Sequence, residues 1–118
     1  MRYMLLIYER EADWVKLNQE QQGKVFGEYG AFTEGIRKSG HYKAGDPLQP
    51  IATATTVRVR NGKTMTTDGP FAETREQLGG YYIVDAKNLD EATAIAARIP
   101  SARMGSIEVR PIMEMSQP

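Results

Sequence analysis

The sequence contains no cysteine. Disulfides, thiolate nucleophiles and cysteine-based metal sites are therefore excluded. A reducing, cytoplasmic setting is the expectation that goes with this usage. There is one histidine, His41, so a metal site is not expected and any histidine-dependent chemistry must run through that ring. No apolar run approaches the ~20 residues that a membrane span needs. The opening MRYMLLIYER closes on charge too early for a signal peptide. Charge of one sign is also missing: 15 basic residues balance 15 acidic ones, leaving no long-range field to gather nucleic acid or an anionic membrane. Neither a phosphate loop nor a dinucleotide-binding glycine fingerprint occurs, and no cofactor is expected.

What remains is an ordinary globular composition, with 41% hydrophobic residues over 118 positions. That is enough to bury one core, so residues 1–118 read as a single domain. RYMLLIY is apolar on both alternating faces, with Tyr3, Leu5 and Ile7 on one side and Met4, Leu6 and Tyr8 on the other. Such a strand belongs in the middle of a sheet, covered twice. Asp13 is placed to cap a short turn at Trp14, and NQEQQ interrupts the apolar pattern. Val25, Phe26, Tyr29, Phe32 and Ile36 then recur at helical spacing, and Ser39-Gly40 stops the helix. HYKAG reads as a short strand and DPLQP as a loop.

ATTVRVRNGKTMTT alternates strictly around Asn61-Gly62, the preferred two-residue hairpin turn. GGYYIVD is a buried strand. KNLDEATAIAARIP is a helix that Asn88 caps with Glu91 at capping-box spacing and Pro100 ends. SIEVRPI closes the chain as a last strand. The order β-α-β-β-β-α-β is a ferredoxin-like α+β pattern with an inserted β-hairpin: an antiparallel sheet with two helices on one face. Two helices cover one face only, so the second apolar face of the first strand predicts a homodimer.

The candidate chemistry gathers around TDGPFAETREQLGGYYIVD. Asp68 on a Gly-Pro turn is a carboxylate held in one orientation, which suits a general base; the same residue also satisfies ordinary turn chemistry. His41 is its candidate partner or the acid, being the one side chain that titrates near neutrality unperturbed. Against that stands a histidine that merely follows a helix end. Glu73 and Phe71 continue the special segment. Arg58 and Arg110, on strands, are candidates to hold an anionic substrate, and Tyr8 to line an aromatic cleft; arginines on solvated strands and tyrosines at an interface are the plainer readings.

DGPFAETREQLGGYYIVD, followed by SIEVRPI, resembles the YCII-related family, in its DGPF-domain branch, and the likeness runs from RYMLLIY to the final strand. It implies a dimeric α/β-barrel assembly of ferredoxin-like chains. Relatives in the wider superfamily include lyase-type enzymes acting on small cyclic compounds, and others resemble accessory partners of alternative sigma factors. Related proteins use a His–Asp pair in a cleft, and many carry a histidine before the last strand, where this chain reads RIPSAR. Two readings stay open: an enzyme doing acid–base chemistry, elimination or isomerisation, on a small organic substrate, and a non-catalytic dimeric module that binds a small molecule or a regulatory partner.

Overall fold

The computed structural model describes residues 1–115. β1 (Arg2–Glu9) is followed by a short helix α1 (Glu11–Val15), the long helix α2 (Gln19–Lys38), β2 (Tyr42–Pro47), the ribbon β3 (Thr55–Arg60) and β4 (Lys63–Asp68), β5 (Gln77–Asp85), α3 (Leu89–Ala97) and β6 (Ser106–Pro111). The main sheet is antiparallel in the order β2-β5-β1-β6. This is the expected ferredoxin-like α+β fold, with the long helices on one face.

Alternation decides which side chains meet the helices. Tyr3, Leu5 and Ile7 of β1 and Tyr82 and Val84 of β5 point to the helix side, where they meet Phe32 and Ile36 of α2 and Ala92, Ile95 and Ala96 of α3. The alanines allow α3 to approach the sheet closely. Leu5, Ile36, Val84 and Ile99 are fully buried, and burying one such side chain is worth about 1.5–3 kcal/mol.

The helix ends follow from local chemistry, with two corrections to the sequence reading. Asp13 does not cap: α1 starts after Arg10, which makes no side-chain cap bond, and Asp13 lies inside the first turn. NQEQQ begins α2, because Asn18 and Gln21 form a reciprocal capping box, each side chain bonding the other's backbone N–H. At the other end Gly40 adopts φ +83°, and the N–H groups of His41 and Gly40 return to the carbonyls of Ile36 and Arg37, a Schellman closure. Asn88 caps α3 as expected. Glu91 instead bonds the N–H of Lys87 and the His41 ring, so the box is half made.

β2 runs through Asp46-Pro47, where a loop was expected. Proline is tolerated there because β2 is an edge strand. The ribbon β3–β4 turns at Asn61-Gly62, both at positive φ, and among the described residues it pairs only with itself. A compact chain of this length has a radius of gyration of about 13.5 Å; the observed 16.5 Å fits a ribbon that stands off the body.

Candidate functional site

The residues singled out from sequence fall in five places within one chain. His41 sits at the start of β2, with its ring between Ser39 Oγ at 2.6 Å and Glu91 Oε1 at 3.1 Å. Asp68 ends β4, exposed and opposite Thr55 at the root of the ribbon. The His41 ring nitrogens are engaged by Ser39 and Glu91, and among the described residues no hydrogen bond or ion pair joins His41 to Asp68. Gly69 follows at φ +111°, with its N–H on the Ala54 carbonyl at 2.7 Å and its own carbonyl accepting from Thr56 Oγ1 at 2.8 Å. Those bonds explain the Asp-Gly-Pro turn.

Phe71, 80% exposed, and Glu73 lie on the loop after this turn. Arg58 is on the ribbon, opposite Met65. Tyr8 and Arg110 occupy the sheet face turned away from the helices. The Tyr8 hydroxyl donates to Glu108 Oε1 at 3.3 Å, and burial together with that carboxylate raises its pKa. The physical reason for the scatter is the period of two: Tyr8 must face opposite to Ile7.

A different place has the shape of a site. The buried residues of α2, Phe32 and Ile36, are both in its C-terminal half. The N-terminal half leaves the sheet, and a cleft of about 710 Å³ opens between it and the ends of β1, β2 and β5. Trp14 of α1 stacks edge-on against Phe26, ring centres 5.3 Å apart, and forms one end wall. Tyr29, Tyr42 and Tyr82 line the interior.

The glycine pair of the sequence shapes the floor. Register shifts between Ile7 and Tyr8, which oppose Gly80 and Leu78, so Gly79 is the extra residue of a β-bulge. At Gly80 a Cβ would come within 3.0 Å of the Asp46 carbonyl. Gly45 makes room for the Tyr82 ring, which a Cβ there would meet at 2.6 Å.

Glu9, the last residue of β1, brings its carboxylate to this cleft. Ser101, fully buried in the 3₁₀ turn before β6, donates its hydroxyl to Glu9 Oε1 and shares a hydrogen bond with the Tyr29 hydroxyl. Burial pushes the Tyr29 phenol up to about 12, partly offset by its bond to Ser101. Tyr29 is therefore protonated at neutral pH and donates to Ser101, which donates to Glu9. The chain of donors fixes the Glu9 carboxyl group in position at the floor of an aromatic cleft.

Further along, Thr33 Oγ1 and the Tyr82 hydroxyl share a bond of 2.7 Å, and the Arg37 guanidinium lies 4.5 Å above the Tyr42 ring. Glu11 is tied down by its bond from the Ile51 N–H at 2.9 Å. Among the described residues no three His, Asp or Glu side chains converge as metal ligands.

Sequence reasoning missed Glu9, Tyr29, Ser101 and Arg37. Tyr29 looked like core, and Ser101 lay in a segment noted only for lacking a histidine. The one local signal was a carboxylate closing the apolar strand RYMLLIYE.

Comparison with known proteins agrees with this architecture. An uncharacterised protein of Rhizobium meliloti (strain 1021) is 36% identical over 114 residues, covering 95% of this chain and 92% of that one. Among solved structures, a 5-chloro-2-hydroxyhydroquinone dehydrochlorinase from Burkholderia phenoliruptrix AC1100, in complex with 2,5-dihydroxybenzoquinone, superposes with a TM-score of 0.57. That match covers 98% of this chain and 96% of the other at 13% identity, a likeness of fold. The model of the YCII-related domain matches residues 1–116. With that match across the sequence and the ferredoxin-like fold in place, the chain belongs to the YCII-related family.

Proposed function

We propose that this protein is an enzyme that removes a proton from a small cyclic organic substrate held in the helix-side cleft, with Glu9 as the proton acceptor. The observation that carries the reading is the donor chain Tyr29–Ser101–Glu9, which orients one carboxylate in a concave aromatic pocket. A base held in position by its own hydrogen bonds acts without first reorganising. In an elimination, Glu9 takes the proton from one atom of the substrate. The electron pair it leaves forms a double bond, and the leaving group departs from the neighbouring atom with its bonding pair. Water then collects the proton from Glu9. A structural relative named as a dehydrochlorinase supports this class, because loss of HCl needs such an acceptor.

The homodimer is part of the same proposal. Met4, Leu6, Tyr81 and Ile83 form a half-buried apolar stripe on the sheet face that no helix covers. Val57 and Val59 are 59% exposed on the ribbon. Isolated two-stranded ribbons are marginal in water, and a second copy supplies the missing cover for both surfaces.

Deuterium exchange tests the chemistry. The protein is incubated in D₂O with a panel of cyclic ketones and hydroxylated quinones, and label entering their acidic C–H positions is followed by NMR. Wild type is expected to accelerate exchange in at least one member, and Glu9→Gln to lose that acceleration by 10²-fold or more, the order of general-base contributions. Equal exchange by both proteins would remove Glu9 from the mechanism.

A further inference from the structure

The cleft has two chemically different ends, and its wall contains a ruler. Tyr29, Thr33 and Arg37 follow one another at four-residue steps on α2 and all line the cleft. At 1.5 Å per residue they mark about 12 Å of wall. Tyr29 marks the Glu9 end through Ser101. Arg37 marks the other.

Arg37 is a cation without an anion: among the described residues it makes no salt bridge, whereas Arg2 and Arg103 each do. Its guanidinium face is engaged by the Tyr42 ring. That contact holds the side chain against the ring, and its N–H groups are the part that recognises a carboxylate. The Thr33–Tyr82 hydroxyl pair also lines the cleft and has one hydroxyl hydrogen that their mutual bond does not use.

The acids of the cleft wall do not compensate Arg37. Glu9 and Glu11 are at the far end, held by Ser101 and by the Ile51 N–H. Asp46 accepts from the Tyr81 hydroxyl at 3.0 Å, on the opposite face of the sheet. Arg10, the remaining cation of the wall, also makes no salt bridge among the described residues and follows Glu9 at that far end, where it stands against two carboxylates. Two carboxylates against one guanidinium at the Glu9 end, and an uncompensated guanidinium at the Arg37 end, favour the orientation that places the charge of a bound acid at Arg37.

Resting on the reading of Glu9 as the proton acceptor, we propose that the Arg37 end is a carboxylate subsite and that the substrate is an elongated acid. Its carboxylate lies against Arg37, its ring among Tyr29, Tyr42 and Tyr82, and the atom that gives up a proton at Glu9. The volume of 710 Å³ falls in the range of about 300–1,000 Å³ that takes ligands larger than one ring. A compact quinone without a side chain fills only part of such a cleft.

Calorimetric titration with a length series tests this. The probes are phenylacetate, 3-phenylpropanoate and 5-phenylpentanoate with their methyl esters, measured on wild type, Arg37→Met, Arg37→Lys and Glu9→Gln. Wild type is expected to bind the longer acids at least tenfold tighter than their esters, with the smallest advantage for phenylacetate. Arg37→Met, an exposed position where folding is checked by circular dichroism, abolishes the advantage without weakening the esters. Arg37→Lys keeps part of it, and Glu9→Gln, which removes a negative charge from the far end, does not reduce it.

Acid and ester binding equally to wild type overturns the subsite. So does an advantage that survives Arg37→Met, or a series in which no probe binds. The two proposals fail separately. An Arg37-dependent preference for acids with no deuterium exchange retains the subsite and removes the enzyme; Glu9-dependent exchange with no such preference does the reverse.

Discussion

Replacing Ser101 with alanine removes one hydroxyl and tests whether the Glu9 carboxylate is truly held. Ser101 is fully buried, and its oxygen serves both Glu9 and Tyr29. A hydrogen bond to a charged group contributes about 1.5–3 kcal/mol, and a neutral one about 1 kcal/mol. Two effects reduce the sum. Alanine no longer carries a buried hydroxyl to desolvate, and Glu9 and Tyr29, both partly exposed at the cleft, turn to water instead.

The expected loss is therefore about 2 kcal/mol, at the lower end of that range, measured by urea unfolding at pH 7. A double-mutant cycle separates the bond from the general effect of the substitution. Ser101→Ala and Glu9→Gln are expected to couple by about 1 kcal/mol or more, because residues in one hydrogen-bond network are not additive. A loss below about 0.5 kcal/mol, the noise of additivity, together with additive single effects, refutes the reasoning. Glu9 would then be an ordinary hydrated carboxylate.

Tyr29 gives a pH signature. Its folded pKa is raised to about 12 from the model-compound value of 10.0, chiefly by burial. The folded state therefore holds its proton more tightly than the unfolded one, and stability is complete below pH 10 and declines as pH rises towards 12. After discounting for its partial exposure the loss is about 1–2 kcal/mol, read from urea titrations at pH 9 to 11.5; Tyr29→Phe flattens that slope. Gly105→Ala places a Cβ 2.0 Å from the Tyr8 carbonyl oxygen, a backbone clash that costs more than about 3 kcal/mol, the upper end of ordinary overpacking, and is read as loss of soluble folded protein on expression. Leu5→Ala empties a fully buried position between the helices and the sheet and lowers stability by about 2–5 kcal/mol, measured by guanidinium unfolding. If the proposed homodimer forms through the ribbon, wild type scatters light as twice 13.2 kDa, and Val57→Asp with Val59→Asp leaves the chain folded by circular dichroism but shifts that mass towards 13.2 kDa.

Much of the architecture was legible because it is written in local terms. Period-two alternation in RYMLLIY and TTVRVR, the Asn61-Gly62 turn, the Asn88 cap and the Gly40 stop each follow from backbone chemistry within a few residues. The element order then leaves few sheets to build. The misreadings were local as well: Asn18-Gln21 looked like an interruption because both are polar, yet their reciprocal bonds are what starts α2.

The site was not legible in this way. Glu9 and Ser101 are 92 residues apart, and Tyr29 and Ser101 are 72 apart; nothing in either neighbourhood marks them as partners. Asp68, Phe71 and Glu73 stood out because a rare turn draws attention to itself, and the fold spends that turn on holding the ribbon root to Ala54 and Thr56. Sequence alone fixed which residues face together along each strand and helix, since periodicity is a property of the local backbone. Only the tertiary structure decided where α2 leaves the sheet, and with it which carboxylate stands at the floor of a cleft, because that gap is set by contacts between segments far apart in the chain.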